Sequence, residues 1–86
     1  MQIIETSIFN VLKRFSDRND SIKALFRKSE TFQTLCEDYR QCAAALRRWD
    51  ASQTEEAHAR RDEYSSLMEE LEEEILKNLN EYEEKR

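Results

Sequence analysis

The chain has a single histidine, His58, which follows Glu55 at the Glu-x-x-His spacing that puts two metal ligands on one helix face. A carboxylate-bridged bundle site needs that motif twice, with two further inward carboxylates. Here it occurs once, in the first turn of a helix. An exposed or tip-packed histidine is therefore the expectation, with no metal and no other cofactor. Cys36 and Cys42 are six residues apart. On a helix that is about 9 Å of rise and about 120° of rotation, too far for a disulfide and not a metal-ligand spacing. They read as small apolar residues, and reduced thiols fit a cytoplasmic setting. Arg47, Arg48, Arg60 and Arg61 cluster around Trp49, an arrangement that could hold a phosphate or stack on a base. Asp50, Glu55, Glu56 and Asp62 are equally near and would neutralise them. No Ser/His/Asp or Cys/His set can be brought together. The many carboxylates lie on outer helix faces rather than in a cleft that could shift their pKa values. A narrow helical pair offers no obvious pocket of a few hundred Å³, so no enzyme activity and no small-molecule substrate are expected.

The elements that must position these residues are helices. The 86 residues include no glycine and no proline, and Ala, Glu, Lys, Leu and Arg make up half of them. Without glycine there is no phosphate-cradling loop and no nucleophile elbow. No apolar run approaches a membrane span, and no signal peptide is visible. Apolar residues recur at helical steps in three segments, giving helices over about 3–16, 21–49 and 53–83 in one domain, 1–86. The first carries Ile3, Ile4, Ile8, Val11, Leu12 and Phe15. Turn-forming residues at 16–21 follow, with Asp20 as the expected N-cap. In the second, heptad stripes run through Leu25, Phe32, Tyr39 and Leu46, and through Ile22, Ser29, Cys36 and Ala43. A third stripe holds Lys28, Leu35, Cys42 and Trp49, and the combined face is too wide for a single neighbour. Ser52 and Glu55 match a capping box before the third helix, whose seam is Ala57, Arg61, Tyr64, Met68, Leu71, Ile75, Asn78 and Tyr82.

A turn between Ala51 and Ser52 brings together residues whose numbers add to about 103, such as Leu46 with Ala57 or Phe32 with Leu71. Apolar groups then meet along most of the length, which predicts an all-α fold. It is an antiparallel, coiled-coil-like helical hairpin with a short N-terminal helix folded back on its open end, three helices in all. The same counting sets Phe15 beside Ile22 and Leu12 beside Leu25, so the first helix reaches only to about Phe32. Residues 35–65 keep two helices, and an apolar patch of Leu35, Cys42, Leu46 and Trp49, rimmed by Arg47 and Arg48, is left as the candidate partner-binding surface.

Phe32-x-x-Leu35-x-x-x-Tyr39, then Leu46, Arg61, Leu67, Leu71 and Glu74-Ile75, resembles the short bacterial YdcH-like helical-hairpin family over about residues 22–80. Where that family has a basic second helix, this chain has Met68-Glu69-Glu70 and Glu72-Glu73-Glu74. The resemblance implies a helical hairpin of unassigned function. Charge bears on partners: residues 51–86 hold twelve acidic and five basic groups, within a net charge of −5, which disfavours nucleic acid. Lys23, Arg27 and Lys28, with Lys13 and Arg14 adding to them, are expected to offset Glu72 to Glu74 inside the chain. The expectation is a cytoplasmic protein-interaction module that forms a homodimer or binds another protein. The alternatives are a peripheral membrane or assembly adaptor using the first helix, with membrane binding disfavoured by the acidic remainder, and, less favoured, a metal-binding bundle.

Overall fold

In the computed structural model, which describes residues 3–85, with side chains from Ser7 onward, the chain is all-α. Four α-helices are present among the described residues: α1 (Ile3–Arg14), α2 (Asn19–Lys28), α3 (Glu30–Ala51) and α4 (Glu55–Glu84). A 3-10 turn over Ser16–Arg18 joins α1 to α2. Asp20 is not the cap of α2. It lies inside the first turn, where its charge complements the helix dipole, and Arg18 holds the cap position without a side-chain bond.

The expected three helices become four because the second breaks at Ser29. Its backbone is extended (φ −126°, ψ 116°) and its Oγ accepts from the Phe32 amide at 3.1 Å, an N-cap for α3. Ser29 N–H closes α2 onto the Leu25 carbonyl, and Gln33 Nε2 donates to the Phe26 carbonyl at 2.7 Å. Backbone groups freed by the break thus find partners, which makes the kink affordable. It turns α2 so that Ile22 and Phe26 enter the core.

α3 and α4 run in opposite directions. Tyr39 meets Glu72, Cys42 meets Tyr64, and Arg61 meets Trp49 and Asp50. The register is shifted from the expected one: Cys42 lies against Tyr64, three positions beyond the Arg61 that a total of 103 would bring opposite. The connection explains this. Ser52 Oγ accepts from the Thr54 amide at 3.3 Å, so Ser52 stabilises the loop instead of forming a capping box, and α4 starts at Glu55 with Thr54 at its cap position.

α1 packs chiefly along α3 rather than α2. Ser7 Oγ donates to Glu37 at 2.6 Å and Arg14 pairs with Glu72 at 3.2 Å, so α1 reaches beyond Phe32 and ties α3 and α4 together. The core comprises Ile8, Val11, Ile22, Phe26, Phe32, Cys36, Tyr39, Ile75 and Leu79, with Leu35, Met68 and Leu71 packed against it. Ile8 and Val11 sit inside it, so laying α1 on a membrane would require undocking it. The side chains of Ile3 and Ile4 lie outside the described residues. No described helix is long and apolar enough to cross a membrane.

Candidate interaction surface

Leu67 and Leu76 are nine residues apart on α4, two and a half turns, so they lie on opposite sides of that helix. On the Leu76 side, Phe15 at the end of α1 lies with Glu69, Glu72 and Glu73 against α4. On the Leu67 side no helix covers the α3/α4 seam, and an open groove of about 580 Å³ runs along it. Cys42, Ala44, Ala45, Tyr64, Leu67 and Leu71 supply its apolar lining, and Asp38, Arg40, Gln41 and Arg48 its polar rim. The narrow pair therefore does carry a cavity of several hundred Å³, contrary to expectation, because alanines at 44 and 45 leave the wall of α3 low.

Of the residues expected to bind a partner, Cys42 and Arg48 line this groove and the other four do not. Cys42 is buried, its thiol directed at the Tyr64 carbonyl at 3.4 Å, so it belongs to the floor and is not an exposed contact. Leu35 is half-buried against the core because α1 extends further than expected. Leu46 and Trp49 are half-buried, whereas Arg47 and Arg48 are exposed. Leu67 neighbours the Met68 position of the expected seam and is not among the residues expected to bind a partner. With 41% of its surface exposed it is among the large apolar residues most open to solvent.

The arginine cluster divides. Arg60 bonds Glu63 at 3.0 Å and approaches Glu56. Arg61 is half-buried: its Nη1 donates to the Trp49 carbonyl at 3.2 Å, satisfying the C-terminus of α3, and its Nε faces Asp50 at 3.8 Å. His58 Nδ1 lies 3.0 Å from Arg61 Nη2. Arg47 and Arg48 have no acidic partner among the described residues. No group of three or more His, Cys, Asp or Glu among those residues could hold a metal ion.

The acidic run is balanced differently from the expectation. α2 diverges at Ser29, and Lys28 lies over the Tyr82 ring at 5.5 Å. Of the expected basic residues Arg14 takes Glu72, Tyr39 Oη donates to the same carboxylate at 2.6 Å, and Arg18 takes Glu83 at 3.4 Å. Glu69, Glu70, Glu73 and Glu74 are exposed and form no ion pair among the described residues.

A second node joins α1 to α3. The Arg40 guanidinium, then the Ser7 hydroxyl, bond the Glu37 carboxylate and hold its pKa down at about 2, against an ordinary 4.5. The folded state therefore prefers the ionised carboxylate more than the unfolded chain does. That stabilisation is complete above pH 4.5 and is lost as pH falls towards 2. Wild type and Glu37→Gln, followed by thermal melting from pH 6 to pH 2, should differ most at pH 6 and converge at the acid end. Parallel curves would contradict the assignment.

No family model matches this chain, and no curated protein or solved structure gives a significant match to it.

Proposed function

We propose that this chain is a helical protein-interaction module that associates with itself into a larger bundle and has no catalytic role. The α3/α4 pair acts as a coiled-coil-like hairpin, and a cytoplasmic setting suits its two free thiols. One observation carries the reading: the two sides of the α3/α4 seam differ. On one, the end of α1 approaches α4 and leaves a smaller pocket of about 250 Å³ beside Leu76, which is 37% exposed. The other is an apolar-floored groove in which Leu67 stands exposed. A groove between two helices is the seat a further helix takes in a bundle. Leu46, Trp49, Arg47 and Arg48 lie toward the same tip and would border the contact. The YdcH-like resemblance is consistent with a two-helix framework and adds no activity; α1 lies outside it.

Sedimentation equilibrium of the reduced protein over a dilution series tests this. A mass near twice the 10.4 kDa chain, falling toward one chain at low concentration, is expected. A single-chain mass at every concentration up to the millimolar range would refute self-association.

A further inference from the structure

We infer that the groove is filled by a second copy of this chain lying antiparallel across it, with the two-fold axis passing beside Leu67. The inference rests on the self-association reading and adds the surface, the orientation and the contacts.

The charges around the groove are the basis. On α4, Leu67, Glu70, Leu71 and Glu74 fall at i, i+3, i+4 and i+7, so both glutamates share the face of the two leucines. On α3, Gln41, Ala45 and Arg48 follow at steps of four and three. Arg48, Glu70 and Glu74 are all exposed, without an ion pair among the described residues. They cannot satisfy one another within a chain. The contacts of Arg61 with Trp49 and Asp50 set Arg48 level with residues 62–63 of α4, and Glu74 lies about 17 Å further along by helix rise.

The midpoint between those two levels falls at about residue 68, one residue from the exposed Leu67. A two-fold axis there exchanges the ends of the groove. Arg48 of each copy faces Glu74 of the other, and Leu67 packs on Leu67 in the centre. An isologous contact makes each pairing occur twice. Glu63 comes level with Glu73 and Glu74 of the second copy, but Arg60 already holds Glu63 at 3.0 Å and offsets part of that repulsion. Ala45 on the facing wall is small enough to let the second pair of helices approach closely. A uniformly basic partner would meet Arg48, and a uniformly acidic one would meet Asp38, Glu70 and Glu74. The copy laid antiparallel is complementary at both ends, and one laid parallel is not.

The test uses the full chain with four substitutions, two of them also combined. Leu67→Cys places a thiol on the two-fold, where mild oxidation should join two chains covalently, as a residue on the axis meets itself. The native thiols are buried, so wild type treated alike should stay unlinked. Leu67→Glu, at an exposed position, should keep the helical circular dichroism and weaken dimerisation at least about tenfold. Arg48→Glu and Glu74→Arg should each weaken the dimer, and together restore it. If wild type is a dimer while Leu67→Cys fails to cross-link and Leu67→Glu leaves the dissociation constant unchanged, this surface is wrong and self-association stands. Loss in both single charge variants without recovery in the double would overturn the antiparallel pairing. A wild type that is monomeric throughout overturns both readings.

Discussion

Replacing Phe32 by alanine should remove about 3–5 kcal/mol of unfolding free energy, the cost of deleting a fully enclosed ring whose space the backbone cannot reclaim. Phe32 has no solvent exposure and lies in the cluster with Ile22, Phe26, Cys36, Ile75 and Leu79. Its amide also caps the break between α2 and α3 by donating to Ser29. The ring therefore sits where contributions from all four helices meet. A domain of 86 residues commands only about 4–13 kcal/mol in total, so the variant should populate unfolded chain near room temperature. Phe9→Ala is the control: its ring is 56% exposed with Lys13 lying over it, so a change within about 0.5 kcal/mol is expected. Urea unfolding followed by far-ultraviolet circular dichroism, at one fixed protein concentration because association also stabilises, separates the two. A Phe32→Ala protein within about 1 kcal/mol of wild type would show that the four helices do not share this core.

Much of the core was legible from spacing. Phe32, Cys36, Tyr39, Ile75 and Leu79 repeat at helical steps on two segments, and all are buried. The break at Ser29 was not legible. Serine serves equally well as a small member of an apolar stripe and as an N-cap, and the stripes pass through it without a change of period. The choice is made by tertiary packing, since turning α2 brings Phe26 and Ile22 onto α1 and α4. The register shift has a local cause that composition does not reveal, the Ser52 turn that delays α4 to Glu55. The candidate surface moved for a related reason. Its width correctly indicated more than one neighbour. Which side of the seam stays open depends on where α1 docks, and sequence proximity favoured α2 over the α3 it adopts. Leu35 and Cys42 thereby joined the interior, while Leu67, a flanking residue by spacing, became the exposed centre.

Stability should also fall steeply in alkali, well before any backbone chemistry. Burial pushes the Cys36 thiol up to about 12 from an ordinary 9. Tyr39 is raised above its ordinary 10 first by burial and then by the Glu72 carboxylate its hydroxyl bonds. In both groups the folded state holds the neutral, protonated form. The unfolded chain releases these protons at lower pH, so their contribution is complete below about pH 9 and declines as pH rises towards the folded values. Each group that would be ionised only in the unfolded chain costs about 1.4 kcal/mol per pH unit beyond its ordinary pKa. Cys36 acts first, from pH 9, and Tyr39 adds to it from pH 10. Cys36→Ala should start lower at pH 7, because it opens a small cavity, yet decline less between pH 9 and 10. Tyr39→Phe should lose its bond to Glu72 at pH 7 and decline less above pH 10. The slope rather than the absolute value is diagnostic, because each variant also alters packing. Urea midpoints from pH 7 to pH 11 give it directly. A wild-type midpoint unchanged up to pH 11 would mean that neither group is held neutral by the fold.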